Sequence, residues 1–348
     1  MGMSRIDSPE STPDPARAGR RWARILGLVV LCAIGAELLA AYGEDTGDPA
    51  GIAVSVVFFG ALYGAPALLA RDAVRRCGWG WPSLLLVFAA LGVTQACLID
   101  QSMFSTDYLG YQGWEESREA TLVPALGISA YNAYNFVLGH VIYSFGAPIA
   151  LAEAWPPDRS HQPWLGRVGT AIALVAYLGA AALVLVDPES RTGSLPQLIG
   201  AAVIVISLVL AAVLVGRRTT PSDAPDGQVP VLLVLAVALA AGLVSNVGGE
   251  TWTGFAIGVS VLLVVGTILW LGARRTSWSL RHCAAAGLGF LLARGLLAFT
   301  YYPLLGEVAA GPKYAHNVVM LLAVLVAGIA ALRKTSSARP SATPGVAG

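Results

Sequence analysis

The sequence predicts an all-α, polytopic transmembrane bundle of about ten helices, with both termini in the cytoplasm. Three observations carry that prediction. Of 348 residues, 56% are hydrophobic and only 12% are charged, about half the charged share with which a soluble domain covers its surface. Apolar runs of roughly membrane-spanning length recur from one end of the chain to the other. Basic residues punctuate those runs so that nearly all of them fall on one side.

Residues 1–21 are rich in Ser, Pro, Asp and Arg and lack apolar periodicity, so they read as a disordered cytoplasmic tail. A single transmembrane domain follows over 22–332, with apolar runs at 22–42, 51–70, 82–100, 128–153, 165–186, 196–216, 230–248, 252–272, 281–303 and 315–332. Charges, Pro or Gly bound each run, as expected where a span leaves the hydrocarbon. The first run is too long for the core of a cleavable signal peptide, and no small-x-small site introduces a soluble domain, so it reads as a retained helix. Only Gly248-Gly249-Glu250-Thr251 separates the seventh run from the eighth. The segment 333–348 reads as a second disordered cytoplasmic tail.

Orientation follows from the cations. With the N-terminus inside, all but four of the 22 lysines and arginines lie in cytoplasmic segments. Arg118, Arg191 and Lys313 fall outside and Arg294 falls within a span. Basic residues resist translocation, and gaining or losing one helix would invert every later loop, so the count is even and close to ten. The chain is accordingly placed in the cell membrane, its partner the lipid bilayer.

One connection is long. The outer loop 101–127 carries Asp107, Glu115, Glu116, Arg118 and Glu119 among Tyr108, Tyr111 and Trp114. It reads either as an interfacial helix with its aromatics at headgroup level or as a lid over an outward-facing pocket. A five-plus-five repeat is not visible, because this connection has no counterpart in the second half and no motif recurs.

Several function classes drop out. Net charge is +1, and no basic patch is interleaved with aromatics, which argues against nucleic-acid binding. Cys32, Cys77, Cys97 and Cys283 form no CxxC pair, so neither a disulfide framework nor a zinc site is expected. There is no P-loop, HExxH or GxSxG, and no metal or other cofactor is implied.

The informative residues are polar groups at membrane depth, which are costly unless partnered or functional. Glu37 and Arg294 both fall near mid-depth on helices running the same way, so an ion pair between them is expected. Along the fourth helix, Asn132, Asn135, His140 and Ser144 form a polar stripe at helical spacing, which must face the bundle. His140 is the member able to carry a proton and is the candidate catalytic residue. Gln95 is the mid-depth amide of the third helix, beside Thr94. Glu153 and Asp100 lie at helix ends, where interfacial placement is expected. Glu37, Gln95, Asn132, Asn135, His140, Ser144 and Arg294 are therefore the candidate substrate-binding set. Depth alone places Glu37, Gln95, His140 and Arg294 around a possible common cavity.

The segment Phe136-Val-Leu-Gly-His140 resembles the Phe-x-x-x-His motif of the CAAX-type intramembrane protease superfamily. At the position of that family's Glu-Glu pair this chain has Thr94-Gln95, the family's Arg is missing, and neither His282 nor His316 is followed by Asn or Asp at the family's spacing. The resemblance covers about 60 residues and implies shared ancestry. Without the family's water-activating glutamates, it argues against proteolysis here. Tyr63-Gly-Ala-Pro through Gly78-Trp-Gly-Trp-Pro82 also resembles actinobacterial multi-pass membrane proteins, from which no chemistry follows.

Three functions fit these observations. A carrier or permease for a small or amphiphilic molecule asks least of residues that are absent. A membrane-embedded enzyme acting on a lipid, prenyl or peptide substrate would use His140. A non-catalytic assembly or immunity partner would need neither. The sequence leaves the oligomeric state open.

Overall fold

The computed structural model describes residues 15–155, 162–218 and 227–333. The chain is an all-α, multi-pass membrane protein. Eight of its described helices are long and apolar enough to cross a membrane: α2 (Pro49–Arg76), α3 (Trp81–Ile99), α4 (Ala130–Ala154), α5 (Arg167–Val186), α6 (Leu195–Arg218), α8 (Trp252–Arg275), α9 (Leu280–Thr300) and α10 (Ala310–Leu332). Two further apolar segments complete the series. These are α1 (Pro15–Ala33, continuing through Ile34–Leu38) and the short α7 (Val231–Val244). At about 1.5 Å per residue, α7 is about 21 Å long. The turn after it contains Gly248 and Gly249 at φ +95° and +60°, a left-handed conformation that glycine adopts without strain.

Helix α1 starts at Pro15, earlier than the apolar pattern indicates. Proline suits a first turn, and arginine is a good helix former, so the helix extends past the apolar run. The rest of the expected N-terminal tail, residues 1–14, and residues 334–348 of the expected C-terminal tail lie outside the described residues.

Burial divides the helices into two groups. In α5, α6 and α8 only 11% of the apolar window is buried, and side chains such as Val175, Leu178, Ile206, Leu210 and Leu263 are exposed. A helix apolar on its outer face belongs against lipid. In α3, α4 and α9 half or more of the window is buried. Small residues let these inner helices approach closely: a Cβ on Gly287 of α9 would sit 3.0 Å from the Cα of Ala147 in α4, and one on Gly289 would sit 2.6 Å from the carbonyl oxygen of Leu235 in α7.

Four helices are irregular, α2 and α4 in their interior and α1 and α3 in their last turns. Each contains a π-helical turn, at Ile34–Leu38 in α1, Gly60–Gly64 in α2, Thr94–Ile99 in α3 and His140–Gly146 in α4. Two of these turns run into the same tetrapeptide pattern, Tyr63-Gly-Ala-Pro66 and Phe145-Gly-Ala-Pro148. Proline has no N–H and its ring crowds the carbonyl four residues back, so the helix widens to accommodate it. A motif therefore does recur, contrary to the sequence expectation. The helical hairpins α1–α2 and α3–α4 share a plan: a π turn in the first helix, then a π turn closed by Gly-Ala-Pro in the second.

The residue five positions after each proline is also paired. Arg71 and Glu153 occupy equivalent places in α2 and α4, and they bond to each other, Arg71 Nε donating to Glu153 Oε1 at 2.9 Å. Arg75 donates to both oxygens of Glu153, at 2.9 and 2.8 Å. Asp72 accepts from Arg71 Nη1 and from the backbone N–H of Trp164 and Leu165. Arg71, Asp72, Arg75 and Glu153 are all buried, and the Arg71 guanidinium lies 3.6 Å from the Trp164 ring centre. Glu153 was expected at an ordinary interface; instead it is the centre of a sealed ionic cluster that closes this end of the bundle.

The loop 101–127 is ordered. It contains a 3₁₀ turn (Ser102–Phe104), a short helix (Trp114–Ala120) and β1 (Leu122–Val123), which pairs with β2 (Ile128–Ser129) just beyond it, Leu122 opposite Ser129. The loop joins the end of α3 to the start of α4, so it sits at the opposite end of α4 from Glu153.

Candidate functional site

A cavity of about 1070 Å³ lies between α1, α2, α3, α4 and α9. Ligand pockets commonly measure about 300–1,000 Å³, so this one could take a whole small molecule with a chain attached. All seven candidate binding residues line it: Glu37, Gln95, Asn132, Asn135, His140, Ser144 and Arg294. The π turns explain the convergence. An i→i+5 turn rotates the following side chains and frees carbonyls, and such turns are frequent at functional sites. Here they carry Glu37, Tyr63, Gln95 and His140 to the cavity wall from four different helices.

Glu37 and Arg294 do not form the expected ion pair. Glu37 Oε1 accepts from the Tyr63 hydroxyl at 2.7 Å. Arg294 Nη2 donates to the carbonyl oxygen of Ala36 at 3.2 Å, and its guanidinium carbon stands 4.7 Å from the Tyr143 ring centre. Nε of Arg294 is buried and has no hydrogen-bond partner among the described residues. The π turn in α1 frees the carbonyl that Arg294 takes, which holds the arginine beside the carboxylate without joining it.

Carbonyls near the end of α1 are satisfied from α9, α10 and the connection between them. His316 Nε2 meets the Leu38 carbonyl at 2.7 Å, and the Tyr301 hydroxyl donates to Ala40 at 2.6 Å. The Gly47 N–H donates to His316 Nδ1, so Nε2 carries the proton given to Leu38. His282 is likewise structural: its Nδ1 accepts from the Ser279 N–H and its Nε2 meets the Val229 carbonyl.

His140 differs. Its Nδ1 is held by the Ser144 hydroxyl at 2.9 Å, one turn along α4, and its ring lies 5.3 Å from Tyr63 and 6.1 Å from Phe145. Among the described residues Nε2 has no hydrogen-bond partner. Gln95 is 2% exposed and lines the cavity, and its amide likewise bonds to no described residue. Thr94 turns away, its hydroxyl donating back to the Ala90 carbonyl at 2.8 Å.

The loop 101–127 covers the cavity. Tyr108, Tyr111 and Trp114 line it and pack against one another, with Tyr108 5.1 Å and Tyr111 6.1 Å from Trp114 between ring centres. Trp114 stacks on Phe136 at 6.0 Å and Tyr111 meets Tyr42 at 6.1 Å. Trp114 Nε1 donates to the Ser105 carbonyl at 3.0 Å. Burial pushes the phenols of Tyr108 and Tyr111 well above their ordinary range, and the negative charges of Glu37 and Asp100 push the same way. The aromatic groups of the loop thus face the pocket.

Among the described residues six acids line the cavity (Glu37, Glu44, Asp45, Asp100, Asp187 and Glu250) against a single arginine, Arg294. A low-dielectric cleft with that excess focuses a negative potential. Among the described residues no group of three or more His, Cys, Asp or Glu is placed to hold a metal ion. Comparison with known protein families, with curated proteins and with solved structures finds no match, so the site is read from its own chemistry.

Sequence reasoning missed Tyr63 and Lys313. Tyrosine is tolerated at any depth and raises no alarm in a span. Lys313, expected in an outer loop, is fully buried. Its Nζ donates to the Ala298 carbonyl at 2.8 Å and lies 4.3 Å from the Tyr314 ring centre. With Asn317, which reaches the same carbonyl at 2.9 Å, it caps α9.

Proposed function

We propose that the protein is a carrier that binds a small polar or amphiphilic molecule within the cell membrane. One observation carries this reading. Four π turns and α9 deliver polar side chains to a single cavity, and among the described residues Gln95 and His140 Nε2 have no hydrogen-bond partner there, while Arg294 Nε is buried without one. Unsatisfied polar groups within a membrane are expensive, and a bound solute that satisfies them offsets the cost. The bias of the arginines supports cytoplasmic termini. In that orientation the aromatic lid faces outward and the Arg71–Glu153 cluster seals the cytoplasmic end. The repeated hairpin plan, with polar groups near mid-depth where the two hairpins meet, is also how carriers are commonly built.

Proteoliposome uptake of a panel of radiolabelled amines, carboxylates and zwitterions tests the proposal. Uptake lost in Glu37→Gln and in Arg294→Ala supports it; full uptake in both variants removes it.

A second reading draws on the same cavity. Tyr63 touches both Glu37, through its hydroxyl, and His140, ring to ring. A carboxylate therefore stands near the histidine although α3 supplies none. That geometry supports hydrolysis of a lipid, prenyl or peptide substrate, with Glu37 as base and His140 Nε2 holding the developing oxyanion, in keeping with the likeness to CAAX-type proteases. Product release by purified protein, abolished by His140→Ala, would favour this reading over transport.

A further inference from the structure

The identity of the ligand follows from a feature that transport alone does not require. The cavity contains two opposite charges, Glu37 and Arg294, each anchored separately. Tyr63 fixes one oxygen of the carboxylate, and no described residue bonds the other. The Ala36 carbonyl and the Tyr143 ring fix the guanidinium, of whose three nitrogens only Nη2 has a hydrogen-bond partner among the described residues. In a medium of low dielectric, opposite charges that line one cavity gain by collapsing onto each other. Their anchors prevent that and leave both facing the same space.

The surroundings of the two charges differ. Aromatic rings share the cavity with Glu37: Tyr63, whose hydroxyl bonds to it, and Tyr108 and Tyr111 of the lid. Aromatic faces attract ammonium groups, most strongly where alkylation has removed the competing hydration. The excess of acids around the cavity draws a cation to the same end. Arg294 is the one guanidinium on the wall and suits a carboxylate or phosphate.

On the reading that this is a ligand cavity, we propose that its ligand is a zwitterion with an alkylated ammonium. The ammonium sits at Glu37 beneath the Tyr108, Tyr111 and Trp114 lid, and the anionic group sits at Arg294. A free betaine and the headgroup of a choline lipid share this chemistry, and the cavity volume accommodates either.

Equilibrium binding to the full chain in detergent tests this with four probes. Glycine betaine carries both charges. Choline carries the cation alone, 3,3-dimethylbutyrate carries the anion alone in the same shape, and dihexanoyl phosphatidylcholine carries both charges on a lipid. Betaine or the short lipid should bind about tenfold or more tighter than either single-charge probe, as loss of one charged hydrogen bond implies. A gap for betaine alone identifies a free solute; a gap for the lipid alone identifies a headgroup. Glu37→Gln should bring betaine down to the level of dimethylbutyrate, and Arg294→Gln should bring it down to the level of choline. The wild-type comparison stands even where a variant misfolds. Choline binding as well as betaine, or none of the four binding, overturns the zwitterion. If other solutes are still taken up in a manner dependent on Glu37 and Arg294, the cavity reading survives that failure; if nothing is taken up, both fall.

Discussion

Gly35 of α1 packs so closely on the Tyr143 carbonyl of α4 that any Cβ at that position would overlap the oxygen. Both residues lie in π turns, and this contact joins the two hairpins at the level of Glu37 and His140. Backbone cannot retreat as a flexible side chain can. Gly35→Ala should therefore wedge α1 from α4 and destabilise the protein by about 1–3 kcal/mol, the usual cost of overpacking. A lower melting temperature in detergent, with weaker ligand binding, is the expected result. An unchanged melting temperature would contradict the contact.

The Arg71–Glu153–Arg75 cluster gives a larger effect. Its members are buried, and removing Glu153 leaves Arg75 without its carboxylate and Arg71 with Asp72 as its remaining acid. Glu153→Gln should cost about 3–5 kcal/mol. Size-exclusion profiles after graded heating would show this as early aggregation. Wild-type heat tolerance in Glu153→Gln would mean that the cluster contributes nothing to closing the bundle.

Trp114 ties the lid together through three ring contacts and the bond to Ser105. Trp114→Ala should loosen the cover without touching Glu37 or Arg294. Ligand escape from the cavity should accelerate, by about tenfold if two or three ring contacts of 0.5–1.5 kcal/mol each are lost. Radioligand wash-out measures this directly, and an unchanged escape rate would remove the loop from the role of lid.

The fold was largely legible in the sequence, because hydrocarbon imposes a long apolar run on every span and each interruption shows. The ten runs correspond to α1 through α10, and even the narrow Gly248-Gly249 separator falls in a turn. The candidate residues were legible for the same reason: Glu37, Gln95, His140 and Arg294 are conspicuous where polar groups are penalised. How they are joined was not. A π turn has no strong compositional mark, so neither the Tyr63 bond to Glu37 nor the Ala36 carbonyl exposed to Arg294 could be foreseen. The repeated Gly-Ala-Pro is legible in the sequence, as is the Arg71-Asp72-x-x-Arg75 spacing, which puts both arginines on one helix face toward the sole acid of α4.

The tyrosines of the lid set its response to alkali. Burial raises the Tyr108 and Tyr111 phenols, so the folded loop holds those protons more tightly than the unfolded chain, whose phenols titrate near about pH 10. Stability from this source is complete below that pH and is lost as pH rises through the folded values. Trp114 lies against both rings, and tyrosinate quenches tryptophan emission. Its fluorescence, isolated by comparison with Trp114→Phe, should stay level through pH 10 and fall only above it. Quenching centred at or below pH 10 would show ordinary, solvated phenols and an open loop.

The orientation can be tested with a cysteine already in the chain. Cys77 is exposed, in the connection between α2 and α3, whereas Cys32 and Cys97 are buried. Beside Cys77 stand Arg75 and Arg76, and positive charge favours retention on the inner side. In intact cells a membrane-impermeant maleimide should leave Cys77 unmodified and should label it once the membrane is opened. Glu189→Cys, at an exposed position between α5 and α6, should react without opening. The two results are coupled, because an odd number of crossings separates the positions and the threading admits only opposite sides. Labelling of Cys77 in intact cells would invert the molecule: the Arg71–Glu153 cluster would face outward, and the aromatic lid would admit its ligand from the cytoplasm.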